Sequence, residues 1–263
     1  QPISGQQLAD DFGLSRTAIW KHIKELEEDG YEIDTVKKKG YVLTTSPDTL
    51  QAAKIDQYLT TTRFGRKIHY LQSCPTTQPI AHQLAQAGEP DGAIVICEEQ
   101  TAGKGRLARA WTSTQGKGIW MSVIIRPEIP PTKAPQLTLV AAVAVTRAIE
   151  DIADVRAEIK WPNDLLINGK KCTGILTELQ ADIDRVHAII LGIGVNVNQQ
   201  LTDFPEEIQS IATSIQMVTG KPVDRAELVA RILHHLEIYT DLYVKHGFEP
   251  LKILWESYSC TLG

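Results

Sequence analysis

EIKWPNDLLINGKKCTGILTEL, residues 158–179, reads as strand-like runs broken by two turn signals. Trp161-Pro162-Asn163-Asp164 is a turn signal between two strand-like runs. Asn168-Gly169 is a two-residue hairpin signal, because the favoured turn needs positive φ at both central positions and these residues tolerate it. It sends the chain back through Lys170 and Lys171 into residues 174–179. The hairpin therefore brings Asp164 and Lys171 toward one another. One acidic and one basic group in a pocket suit metal–phosphate chemistry. On a surface hairpin the same pair is an ordinary salt bridge.

Upstream, EEQTAGKGRLARAWTSTQGKGIW (residues 98–120) is bracketed by apolar, strand-like runs at 93–97 and 119–125. Gly103 and Gly105 let the main chain approach a ligand, and Lys104, Arg106 and Arg109 add three cations. Amide donors with fixed positive charge are what a phosphate or an activated carboxylate needs. The alternative is an exposed hairpin loop with solvated cations, since a glycine-rich motif alone is weakly specific. Residues 80–87 predict a short helix with Thr76 and Thr77 just before it, placed either to bind polar ligand groups or to cap the helix. Residues 137–151 predict a long helix beside the sheet. Residues 188–198 predict a strand in which Gly192 and Gly194 allow close approach. A further helix is expected from about Arg225 to His246, where His234 and His235 read as surface residues rather than metal ligands.

The N-terminal residues follow different physics. A short helix over 5–12, a turn at Gly13-Leu14 and Ser15 as N-cap lead into a helix running to about Asp29. Ile19, Ile23 and Leu26 fall on one face as a buried stripe. Arg16, Thr17, Trp20, Lys21 and Lys24 lie largely on other faces and, with Ser15, form a candidate DNA surface, as at the start of a recognition helix. Residues 31–36 and 40–44 read as a hairpin with Lys37, Lys38 and Lys39 at its tip, suited to phosphate contact. The alternative is a helical protein-interaction module with a solvated lysine run, and acidic residues slightly outnumber basic ones over residues 1–44. Ser46-Pro47-Asp48 is a break and residues 49–59 predict a helix. The chain thus divides into residues 1–46, a linker helix within 47–65, and a larger domain over 66–263.

A length of 263 residues accommodates two domains, and 43% apolar with 22% charged residues is ordinary for globular proteins. With a net charge of −5, any nucleic-acid contact must come from a local patch. Cys74, Cys97, Cys172 and Cys260 show no C-x-x-C pairing, which favours free thiols in a reducing, cytoplasmic setting. The longest apolar run, 137–145, is too short to span a membrane, so no membrane partner is expected.

These motifs resemble the biotin protein ligase family. KWPND at 160–164, GKKCTGIL at 169–176 and QTAGKGR at 100–106 stand in the family's order. PTTQ at 75–78 precedes a helix, and GIGVNVN at 192–198 follows a strand. The resemblance covers essentially the whole chain, and residues 1–44 look like the winged helix-turn-helix of the bifunctional members that also repress biotin-operon transcription. It implies an α+β fold: a mixed, largely antiparallel, class II synthetase-like sheet with helices on one face. It also implies ATP-dependent conversion of biotin to biotinyl-5′-adenylate, then transfer to a lysine of a biotin carboxyl carrier protein. Lys171 would contact the biotin carboxyl and the α-phosphate, Arg106 would grip the adenylate, and Asp164 would help hold Mg²⁺. Thr76, Thr77 and Gln78 would hold the ureido ring and Gln100 would bind biotin. Gly103, Lys104, Gly105 and Asn196 would complete the ligand-binding set. Operator DNA and a second copy of the chain are the further partners implied. Helix-turn-helix domains usually need a third helix to close the core, so the N-terminal module looks clipped, and by the resemblance the family's small C-terminal β-domain, expected to begin near Cys260, looks missing. Two departures stand out: Thr76-Thr77-Gln78 replaces Ser-Thr-Asn, and Lys104 replaces an arginine whose planar fork lysine lacks. A non-catalytic biotin-sensing repressor and a lipoyl ligase are the competing readings.

Overall fold

Asn168 and Gly169 both adopt positive φ, 50° and 75°. That turn matches the twist of two antiparallel strands, and it joins Asp164–Ile167 to Lys170–Ala181 in an antiparallel pair. The computed structural model describes residues 2–28 and 30–261. The expected helix end at Asp29, like Gln1 and the last two residues, lies outside them. The chain separates between Asp48 and Thr49 into two units.

The smaller unit contains α1 (Gly5–Phe12), α2 (Arg16–Glu28), β1 (Glu32–Val36) and β2 (Gly40–Thr45). Ser4 caps α1 through the Gln7 N–H, and α1 ends on Gly13 at φ 64°, the left-handed closure glycine favours. Ser15 Oγ accepts the Ala18 N–H at 3.1 Å, so it caps α2 as its position predicts. β1 and β2 pair antiparallel with Lys37, Lys38 and Lys39 at the turn. The expected buried stripe is only partly formed. Ile19 is buried and Ile23 half-buried, but Leu26 is 38% exposed. Two helices and a two-stranded sheet bury too little surface to cover a third position.

The larger unit runs α3 (Ala52–Asp56), β3 (Ile68–Cys74), α4 (Thr77–Gln86), β4 (Ile94–Gln100), β5 (Gly118–Ile125), α5 (Gln136–Ala153), β6 (Glu158–Lys160), β7 (Asp164–Ile167), β8 (Lys170–Ala181), β9 (Val186–Asn196), α6 (Ile215–Thr219), α7 (Arg225–His246) and α8 (Glu249–Tyr258). Seven strands form one sheet in the order β3-β4-β5-β9-β8-β7-β6. Among the strand pairings of the described residues β3–β4 alone is parallel, so the sheet is mixed and largely antiparallel.

Helices cover both faces, not one. Ile94, Ile96, Ile119, Met121, Val123, Leu191 and Ile193 pack in one buried cluster with α5 and α7. Val95, Ile124, Ala188 and Ile190 form another with Ala81 and Ala85 of α4. Alternate residues of β4, β5 and β9 point to opposite faces, and both sets are apolar, so both faces demand a cover. The expected linker helix is also corrected. Only Ala52–Asp56 is helical, Leu50 and Ile55 are fully buried, and Leu50 N–H donates to Glu98 Oε1 at 2.8 Å. This segment belongs to the larger unit. Among the described residues no helix is long and apolar enough to cross a membrane.

Candidate active site

On the α4 face the sheet carries a patch without side chains. Gly174 of β8 pairs with Gly194 of β9, and Gly192 lies between Leu176 and Ser122 on the neighbouring strands. A Cβ at Gly194 would meet Trp111 at 2.7 Å, and one at Gly174 would meet it at 2.9 Å. A Cβ at Gly192 would stand 3.0 Å from Gln78 Oε1. The glycines thus leave a floor on which Trp111 and Gln78 rest, beside a cavity of about 360 Å³. Thr76, Thr77, Gln78, Gln100, Lys104, Gly105, Arg106, Asp164 and Lys171 all line it.

One end of the cavity is polar and closed. Gln100 Oε1 accepts the Thr77 N–H at 3.0 Å, and Gln100 Nε2 donates to Ser113 Oγ at 2.9 Å. Ser122 Oγ lies 2.7 Å from Thr77 Oγ1 and donates to Gln78 Oε1 at 2.7 Å. Gln78 Nε2 donates to Glu178 Oε2 at 3.0 Å. Helix α4 starts at Thr77 rather than near residue 80, which places Thr77 and Gln78 in its first turn. Thr76 is the N-cap residue but makes no side-chain cap bond. The side chain that takes the first-turn N–H is Gln100, from β4.

The other end is cationic and exposed. Residues 103–111 fold as a narrow return: Trp111 N–H donates to Gly103 O at 2.9 Å and Gly105 N–H to Arg109 O at 2.8 Å. Leu107 and Ala108 adopt positive φ at the tip, and Leu107 is 84% exposed. Lys104, Arg106 and Arg109 are exposed. Arg106 Nη1 donates to Asn163 Oδ1 at 3.3 Å, which joins this loop to the KWPND turn. That turn contains a cis peptide between Trp161 and Pro162. Lys171 Nζ lies 2.7 Å from Asp164 Oδ1 and 5.3 Å from the Trp111 ring centroid. The β7–β8 hairpin therefore brings together the acid and base that its turn implied.

Two of the expected ligand residues are not at the cavity wall. Gly103 is buried behind the loop, where a Cβ would stand 2.5 Å from Trp111 O. Asn196 is buried and donates to Thr213 O at 3.0 Å, with its Oδ1 accepting from Gln199 at 3.3 Å; it ties the end of β9 to the segment before α6. The sequence reading missed Trp111, Asn163, Ser122 and Glu178. Trp111, Asn163 and Glu178 lie within the two motif-rich stretches and Ser122 just beyond one of them, but Ser122 and Glu178 come into play only through strand register. Burial pushes the Cys172 thiol, next to Lys171, up to about 12, which disfavours the thiolate that a nucleophile needs. Among the described residues no group of three His, Cys, Asp or Glu side chains could hold a metal by itself.

In the smaller unit Ser15, Arg16, Thr17, Trp20, Lys21 and Lys24 are exposed on and before α2, as are Lys37, Lys38 and Lys39 at the hairpin turn. Lys21 and Lys24 are ion-paired to Glu25 and Glu27 of the same helix, which partly offsets their charge.

Comparison with known proteins matches residues 70–196 to the biotin/lipoate A/B protein ligase family and residues 1–42 to an HTH domain. Over 261 residues the chain is 50% identical to the bifunctional ligase/repressor BirA of Bacillus subtilis (strain 168), spanning 99% of this chain and 80% of that protein. The bifunctional ligase/repressor BirA of Escherichia coli (strain K12) is 31% identical over 254 residues, spanning 96% of this chain and 77% of its own. The solved biotin protein ligase from Aquifex aeolicus in complex with biotin and ATP is similar at TM-score 0.65 and 32% identity, covering 75% of this chain and 80% of that one.

Proposed function

This chain belongs to the biotin protein ligase family, among its bifunctional ligase/repressors, and from that premise we infer how its own residues divide the work. It is an ATP-dependent biotin ligase that also acts as a DNA-binding repressor through its helix-turn-helix. In our reading the polar end of the cavity, Thr76, Thr77, Gln78 and Gln100, takes the ureido ring of biotin. The acid's carboxylate then points toward Lys171 and the cationic loop, where ATP's phosphates lie.

A carboxylate is a poor electrophile, and its attack on the α-phosphate concentrates negative charge. Fixed cations stabilise that charge without reorganising. Lys171 carries this role because it stands 2.7 Å from Asp164, which holds its ammonium in place within the same cavity. This is the observation that carries the assignment. Arg106, with Lys104 and Gly105, retains the adenylate. A lone carboxylate such as Asp164 fits Mg²⁺, a hard cation that keeps waters and takes phosphate oxygens as its other ligands. Bound there it would neutralise phosphate charge. The acceptor amine comes from a lysine of a biotin carboxyl carrier protein, so this chain needs no nucleophile of its own. Pyrophosphate release from ATP with biotin or lipoate as the acid tests the reading: biotin should drive it, and release with lipoate instead would overturn it.

Binding of operator DNA is assigned to Ser15, Arg16, Thr17, Trp20, Lys21 and Lys24 with the Lys37, Lys38 and Lys39 tip. A homodimer places two such units on a two-part operator, because linked modules gain from effective concentration. Adenylate ordering of the cationic loop favours that dimer, and by linkage the dimer binds adenylate more tightly. Sedimentation with and without biotin and ATP checks this, and an unchanged monomer–dimer equilibrium would remove it. A reducing cytoplasm is the setting that suits the four cysteines.

A further inference from the structure

We propose that Glu178, which does not line the cavity, fixes the direction of the Gln78–Ser122–Thr77 hydrogen bonds in the polar floor and thereby makes Thr77 an acceptor for a ureido N–H. The proposal rests on the reading of that floor as the biotin site.

The chain of donors runs one way. Glu178 sits on β8 with a half-exposed carboxylate, and an ionised carboxylate only accepts. It accepts from Gln78 Nε2 at 3.0 Å and from His82 Nε2 at 2.9 Å. Gln180 Nε2 donates to His82 Nδ1 at 2.8 Å, so Nδ1 is the accepting nitrogen and the His82 proton is on Nε2, facing Glu178. With its Nε2 committed, Gln78 presents Oε1 to Ser122, which must donate at 2.7 Å. Ser122 has then used its only proton, so in its contact with Thr77 Oγ1, also 2.7 Å, threonine is the donor. Thr77's other neighbour, Gln100 Oε1, is 3.5 Å from its Oγ1 and already holds the Thr77 N–H at 3.0 Å. Thr77 Oγ1 is left with lone pairs alone, on a residue that lines the cavity.

That polarity has a chemical meaning. A cyclic urea carries two N–H donors and one carbonyl acceptor, and a floor ending in an acceptor matches an N–H. The dithiolane of lipoate has no N–H, so it would leave the buried Thr77 oxygen unpaired, which a buried site penalises. The device depends on Gly192, whose missing side chain makes the room that Gln78 fills. Glutamine at position 178 would break the polarity while keeping the side chain in place, because an amide both donates and accepts. Gln78 could then flip, Ser122 could turn its proton toward Thr77, and Thr77 could donate into the cavity.

The experiment is a double-mutant cycle on the full chain, with biotin affinity by calorimetry and single-turnover adenylation at saturating biotin. Glu178→Gln should weaken biotin about tenfold, the order expected for one mispaired buried hydrogen bond. It should leave ATP affinity, melting temperature and the saturated rate in place. Thr77→Val should weaken biotin at least as much, and adding Glu178→Gln to it should cost nothing more, since both act on one acceptor. Glu178→Gln binding biotin like the parent, or losses that simply add, would overturn the proposal. A parent protein that adenylates biotin while Thr77→Val binds it normally would instead remove the floor as the biotin site. No biotin-driven pyrophosphate release in the parent would remove the ligase reading itself.

Discussion

The two ends of the cavity are built on opposite terms. At the floor Gln100, Thr77, Ser122, Gln78 and Glu178 each bond to the next, and Thr77, Gln78 and Ser122 are buried. At the rim Lys104, Arg106 and Arg109 are exposed on a loop whose tip residue Leu107 is 84% exposed. A satisfied buried network is rigid and selective. A set of like charges on an exposed loop repels itself and is completed only by an anion. The floor is thus suited to choosing the acid, and the rim to stabilising charge that appears during reaction.

Mutations should separate the two ends. The largest effect is expected for Lys171→Ala, with adenylation slower by about 10²-fold or more and biotin affinity nearly unchanged, read by single-turnover pyrophosphate release. Equal rates would take Lys171 off the catalytic list. Gly192→Ala should do the reverse, raising the biotin Kd by about tenfold through displacement of the buried Gln78 amide while the saturated rate holds. If the saturated rate falls too, the ends are not independent. Arg106→Gly should have a milder signature: adenylation persists, and biotinyl-adenylate escapes into solution several-fold faster, as expected when one charge-assisted hydrogen bond is removed. Retention equal to the parent would leave Arg106 without a role in holding the intermediate. The smallest effect on the cavity, none, is expected when Lys37, Lys38 and Lys39 are all replaced by Gln. Operator affinity should fall and the salt slope should flatten by about 1 for each phosphate no longer neutralised, with ligase activity intact. An unmoved salt slope would mean the tip touches no phosphate.

A part of this was legible from residues alone. Asn168-Gly169 announced its hairpin because a two-residue turn needs positive φ twice, and that hairpin delivered the Asp164–Lys171 pair. The KWPND turn and the Ser15 cap were readable for similarly local reasons. What failed depended on partners distant in sequence. Apolar runs at 93–97 and 119–125 signal strands but not which helix covers which face, so α4 on the second face was not foreseen. The segment after Asp48 looked like a linker because the Leu50–Glu98 bond that anchors it spans 48 residues of sequence. Trp111 over Gly174 and Gly194 needs the β8–β9 register. Asn196 sat in a motif that pointed to ligand, yet its amide is used to tie β9 to Thr213.

The contrast between a finished floor and an unfinished rim is tested most directly by amide hydrogen exchange on the intact chain, first without ligands and then with biotin and ATP. The account predicts that amides of β5, β9 and the first turn of α4 are protected from the start and change little, whereas those of residues 103–111 exchange fast when empty and slow on adenylate formation. Protection of residues 103–111 before any ligand is added, or a floor that gains protection as much as the loop does, would contradict it.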